Sequence, residues 1–144
     1  MNILYDEEID GVLHKVDRAD LLAELRQRLP DLLILHRDED LRPYECDGLA
    51  AYRTLSLLVV LPERVAQVEA ILRICHARRV PVVARGAGTG LSGGALLLAQ
   101  GVLLVMARFK HILELNPNAR RARVQPGVRN LAISEAAAPY GLYY

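Results

Sequence analysis

Between two apolar runs of buried-strand character, "VPVVA" (Val80–Ala84) and "VLLVM" (Val102–Met106), the chain reads "RGAGTGLSGGALLLAQG". Five glycines fall within Gly86–Gly94. Glycine loses more backbone freedom on folding than any other residue, so this density is unfavourable unless the loop requires it. Gly88-Thr-Gly90-Leu-Ser-Gly93 fits the G-x-G-x-x-G spacing of a dinucleotide-binding turn. Glu114 lies about 20 residues further on, where that fingerprint wants an acid. Such a turn must, however, open a helix that carries the chain back over the sheet. Only Gly94–Gly101 separates the last patterned glycine from the next strand. That is short of the roughly 10–12 residues a crossover with its helix needs. The spacing is therefore set aside as a Rossmann signal. The Walker loop fails as well, because no lysine stands between Lys15 and Lys110.

What is left is a long glycine loop with Arg85 at its entrance and Thr89 and Ser92 inside it. Successive backbone N–H groups in such a loop can turn inward as an anion-binding nest, and missing side chains let a phosphate approach closely. The two hydroxyls add donors and Arg85 offers compensating charge. The plainer alternative is a tight connection whose glycines serve only chain geometry. Both readings stand on the residues alone.

Around the loop, the periodicity predicts an α/β or α+β class. Asp17 caps a predicted helix from Arg18 to about Leu29, with Asp20 in its first turn and Pro30 after it. "LLIL" (Leu32–Leu35) reads as a short strand, and the charged stretch His36–Asp47 as an exposed loop. "SLLVVLP" (Ser56–Pro62) has the continuous apolar character of a strand covered on both faces. A helix is expected from Glu63 to about Arg79, burying Val65, Val68, Leu72 and Cys75 and turning Glu63, Gln67 and Arg78 outward. With Val80–Ala84 this makes a βαβ unit with parallel strands. "HILEL" and "RARVQ" read as strands joined by a turn at "NPN", and Asn130–Ala138 as a short helix after Pro126-Gly127.

With 144 residues, 52% of them hydrophobic, a single core is affordable. A net charge of +1 and the absence of tryptophan give no footing for a nucleic-acid surface, so no nucleic-acid partner is expected. Cys46 and Cys75 show no disulfide or metal spacing, which points to a reducing intracellular setting. His14, His36, His76 and His111 are scattered, so no metal is expected. Arg120, Arg121 and Arg123 read as a solvated strand end. The final "APYGLYY" breaks off as though opening a new element, which suggests a C-terminally incomplete chain.

"PVVARGAGTGLSGGA" is preceded by "LLVVLPERVAQVEAILRICHARRV" and followed by "GVLLVMARFKHILELNPNARRARVQPGVRNLA". This series resembles flavoproteins of the vanillyl-alcohol oxidase / p-cresol methylhydroxylase type. Within them it is similar to the FAD-binding subunits of bacterial glycolate oxidases, relatives of D-lactate dehydrogenases. "YECDGLAAYR" (Tyr44–Arg53) fits the same group, so the likeness spans nearly the whole chain. It implies an α+β fold with an α/β-like first half, the N-terminal portion of an FAD-binding domain. Residues 1–50 would lead into that domain; residues 51–144 would hold its first subdomain and the start of the second.

The resemblance further implies that Arg85, Gly86, Ala87, Gly88, Thr89, Gly90, Leu91, Ser92 and Gly93 wrap the FAD diphosphate, mostly through backbone amides. Some relatives tether the flavin through a histidine in R-S-G-G-H. Thr89 stands at that position, which implies non-covalent FAD. "VQPGV" (Val124–Val128) matches a turn near the flavin, with Pro126 and Gly127 as structural neighbours rather than ligands. The implied whole enzyme oxidises a small 2-hydroxy acid, glycolate or D-lactate, to the 2-oxo acid. Its electrons would leave through a second flavin-type subunit and an iron–sulfur subunit. The implied setting is cytoplasmic, with peripheral attachment at the inner membrane through those subunits left open. No catalytic base or carboxylate clamp can be assigned in this chain, and alone it is expected to be inactive. The alternative is a non-catalytic nucleotide-binding or assembly module of an oxidase complex.

Overall fold

In a computed structural model, which describes residues 15–144, Asp17 caps the first helix among the described residues, as the capping pattern predicts. Its carboxylate accepts from Ala19 N at 2.7 Å and Asp20 N at 3.0 Å, satisfying two of the helix's otherwise unpaired amides. Helix α1 (Arg18–Arg28) buries Leu21 and Leu25 and ends before Pro30. Strand β1 (Leu33–Leu35) follows. His14 lies outside the described residues.

The charged stretch after β1 is not an exposed loop throughout. It forms a short helix, α2 (Asp38–Leu41), and a 3-10 turn at Arg42–Tyr44, and it buries Leu41 and Asp47. Asp38, Glu39 and Asp40 point to solvent while Leu41 seals a face of the sheet. A mixed-charge run conceals one apolar anchor.

Strand β2 (Leu58–Leu61) is buried along its length, as its unbroken apolar run predicts. Helix α3 (Val65–Ala77) then differs from expectation in its rotation. It buries Gln67, Ile71, Ile74 and Cys75, while Val65 and Leu72 are exposed. The cause is at its start. Gln67 Oε1 turns inward and accepts from Glu63 N at 2.8 Å and Arg64 N at 3.2 Å, and this capping sets the buried stripe. Arg78, expected outside, is half-buried and donates from Nε to Glu24 at 2.5 Å, tying α3 to α1.

Strands β3 (Val82–Arg85) and β4 (Val102–Val105) complete a four-stranded sheet in the order β1-β2-β4-β3. β2 and β3 are parallel, as the βαβ reading requires, but they are not neighbours. β4 lies between them and pairs in parallel with both, Leu58 and Val82 each opposite Val102. Adjacent parallel strands are usually joined through a helix. Here β3 and β4 are joined by Gly86–Gly101, in which no helix forms.

Alternate side chains of this sheet serve two apolar layers. Leu58, Val60, Val102 and Leu104 meet α1 and α3, whereas Val59, Leu61, Leu103 and Val105 meet Leu41 and Leu97. The glycine loop's own exit thus roofs one face. A hairpin of β5 (Ile112–Asn116) and β6 (Arg121–Val124) follows, and then helix α4 (Asn130–Ala137). Gly127 between them is close-packed: its N–H donates to Phe109 O at 2.7 Å, and a Cβ would fall 2.8 Å from that same oxygen.

Burial, and secondarily Glu24, pushes the Cys75 thiol up to about 11 from 9.0. The unfolded thiol ionises first as pH rises, so the unfolded state then holds fewer protons and stability falls. Alkaline urea melts should lose roughly 2–3 kcal/mol between about pH 9 and pH 11 from this group. In Cys75→Ala that increment should be missing, which a parallel pH series checks.

Candidate functional site: the glycine loop and its support

Arg85 ends β3, and its side chain is buried, only 5% of the residue being exposed. The guanidinium does not lie open for an anion. Nη1 donates to Tyr44 O at 2.8 Å and Cys46 O at 2.9 Å, and Nη2 to Ala95 O at 2.6 Å. Burial lowers its pKa from the ordinary value, opposed chiefly by Asp47. The Asp47 carboxylate is itself buried; Oδ1 accepts from Leu49 N at 2.8 Å. Asp47 Oδ2 and Arg85 Nε have no hydrogen-bond partner among the described residues.

The other eight predicted site residues, Gly86 to Gly93, run on from Arg85 along the loop. Ala87, Thr89, Leu91 and Ser92 are exposed, Leu91 to 72%. The glycines divide into two kinds. Gly88 (φ +70°) and Gly93 (φ +74°) are left-handed, a conformation that disfavours any side chain. Gly88 also lies against the Arg85 stem, where a Cβ would sit 3.2 Å from Cδ. Gly86, Gly90 and Gly94 lie outside the left-handed region, and a Cβ on any of them would meet nothing within 4 Å.

Among the described residues, neither conformation nor crowding demands glycine at those three positions. The open backbone leaves room there for a bulky group to lie directly on it. Gly86–Gly94 carries no titratable side chain, so the loop is equipped to bind, through amides and the Thr89 and Ser92 hydroxyls, rather than to move protons. Beside it opens a cavity of about 480 Å³ lined by Leu49, Tyr52, Val83, Ser92, Gly93 and Leu97.

Sequence reasoning missed the residues under the loop: Tyr44, Cys46, Asp47, Gly48 and Ala95. A Cβ on Gly48 would fall 2.8 Å from the carbonyl oxygens of both Thr89 and Gly90. The Asp47-Gly48 dipeptide signals a turn, but nothing local says what the turn packs against. Glu114, at the fingerprint's acidic position, sits on β5 and faces Arg121 and Arg123 at 3.5 and 3.6 Å. Among the described residues, no cluster of His, Cys, Asp and Glu is placed to hold a metal, and no helix is long and apolar enough to cross a membrane.

A family described as FAD binding domain matches residues 56–144. Glycolate oxidase subunit GlcD of Escherichia coli (strain K12) is 68% identical over all 144 residues, which span 29% of its length. D-2-hydroxyglutarate dehydrogenase of Xanthomonas citri pv. viticola is 33% identical over 85% of this chain and 26% of its own. In structure, p-cresol methylhydroxylase superposes with a TM-score of 0.70 at 22% identity, over 86% of this chain and 25% of that one. The expected fold class is borne out, and the chain spans less than a third of the curated relatives it matches.

Proposed function

The chain belongs to the FAD binding domain family, and we propose that Arg85–Gly93 holds the diphosphate of a non-covalently bound FAD. The observation that carries this reading is the open backbone at Gly86, Gly90 and Gly94, glycines that packing among the described residues does not require. Outward amides of the loop cradle the diphosphate, with the Thr89 and Ser92 hydroxyls beside it. Thr89 has no imidazole nitrogen for a covalent flavin link. Arg85 contributes the loop's shape rather than an exposed charge.

When bound, the flavin supplies a hydride acceptor for oxidation of an alcohol carbon. In the whole enzyme we assign the substrate to the small 2-hydroxy acids, glycolate or D-lactate, following the names of relatives that align with this chain. The relative's designation as an oxidase subunit supports a multi-subunit assembly; we propose a cytoplasmic one, with a second flavin-type subunit and an iron–sulfur subunit as electron carriers. Residues 51–144 are the part that meets the diphosphate, and residues 1–50 lead into it.

Titration of the purified protein with FAD, riboflavin and ADP tests the diphosphate assignment. FAD should bind saturably, seen as a change in flavin fluorescence, and ADP should displace it. Riboflavin, lacking the diphosphate, should bind at least about tenfold more weakly, the loss of a charge-assisted contact or more. Folded protein that leaves the FAD signal unchanged, or that binds riboflavin equally well, overturns the assignment.

A further inference from the structure

We propose that Asp47, Gly48 and Arg85 form a clamp that fixes which way the glycine loop's amides point, making them positioning residues for the bound diphosphate; this rests on the loop being that site. Two sets of contacts carry it. The Arg85 guanidinium binds carbonyls on both sides, Tyr44 and Cys46 of the supporting segment and Ala95 at the loop's far end. One side chain therefore ties the loop's entrance to its exit. Arginine's planar fork suits this task, and a lysine ammonium does not reproduce it.

The second set of contacts sets direction. The carbonyl oxygens of Thr89 and Gly90 approach Gly48 so closely that a Cβ there would be 2.8 Å from each. Among the described residues every peptide is trans. In a trans peptide the N–H points opposite to the C=O. The Thr89 peptide lies broadside on Gly48, its carbonyl carbon 3.0 Å and its oxygen 2.8 Å from that Cβ position, and the Gly90 carbonyl oxygen lies at the same 2.8 Å. Contact with Gly48 therefore holds both peptide planes, and with them the amides of Gly90 and Leu91. A Cβ at Gly90 would itself meet nothing within 4 Å. Gly48 is thus the floor on which the two peptides that carry these donors rest. Asp47, buried beside it with Oδ2 unpaired, is the counter-charge to a buried arginine whose Nε is likewise unpaired.

The test compares FAD with riboflavin binding in Gly48→Ala, Asp47→Asn and Arg85→Lys. A methyl group at residue 48 must push the Thr89 and Gly90 carbonyls aside and swing their amides off the diphosphate. FAD should then bind at least about tenfold more weakly, with riboflavin nearly unaffected, because only FAD uses those donors. General loosening of the fold would weaken both ligands alike. FAD affinity within about twofold of wild type, or equal losses for both flavins, overturns the clamp. Should Gly48→Ala fail to fold, Asp47→Asn keeps the side chain's size and must show the same selective loss, or the clamp is overturned. Gly90→Val separates the two ideas. If it leaves FAD binding intact, the diphosphate reading falls and the clamp with it; if it abolishes binding while Gly48→Ala does not, the clamp alone falls.

Discussion

Replacing Gly90 by valine should weaken FAD binding by at least about a hundredfold, the equivalent of losing about 2.7 kcal/mol, while the flavin-free protein melts within about 2 °C of wild type. The asymmetry follows from the two kinds of glycine in the loop. Gly90 is not left-handed, and a Cβ there meets no atom of the protein within 4 Å. An exposed substitution of that kind changes stability by only about 0.5 kcal/mol. The same isopropyl group occupies the space through which a phosphate would reach the backbone. Thermal melts with and without FAD give both quantities at once, because a ligand that binds only the folded state stabilises it in proportion to the logarithm of one plus the ratio of ligand concentration to Kd. A variant that FAD still stabilises as it does wild type would contradict the site. Gly88→Val is the less informative change: at φ +70°, pressed against the Arg85 stem, it strains the protein itself.

Arg85→Met should destabilise the fold by about 3–5 kcal/mol, the loss of three hydrogen bonds from a charged donor at about 1.5 kcal/mol each. Methionine keeps the stem that packs under Gly88, so the loss isolates the guanidinium. The carbonyls of Tyr44, Cys46 and Ala95 would lose their donor, and Asp47 would be left as a buried charge without its counterpart. Arg85→Lys should lie between the two, retaining charge without the fork. Urea unfolding at neutral pH measures the series. A loss in Arg85→Met below about 1 kcal/mol would show that the guanidinium is not the tie described, because that is the worth of one ordinary hydrogen bond.

What the residues disclosed in advance were features with a local cause. The Asp17 cap, the four apolar strands of the main sheet and the absence of a helix between Gly94 and Gly101 all follow from short-range rules. The rotation of α3 depended on whether Gln67 would turn inward to cap the amides before it, a choice made by two backbone N–H groups rather than by periodicity. Placing β4 between β2 and β3 was beyond any window, since the alternation of each strand is satisfied in either order. Burial of Leu41 and Asp47 within a charged run was hidden for the same reason: the surfaces that cover them arrive from the distant strands β2 and β4 and from residues 85–97. For the candidate site, the loop was readable and its support was not. Glycine spacing marks a stretch of chain, whereas the role of Gly48 exists only once two distant stretches touch.

The insertion of β4 between β2 and β3 also bears on how a growing chain acquires this sheet. When synthesis has reached Arg85, β2, α3 and β3 are all present, yet the two strands share no ladder and cannot pair as a finished unit. Both parallel ladders await Val102–Val105, on the far side of the glycine loop. The most flexible stretch of backbone is therefore the one that must close before the sheet exists, and the entropy of ordering it falls on assembly itself. In the nascent protein, the glycine loop is the hinge on which the architecture waits.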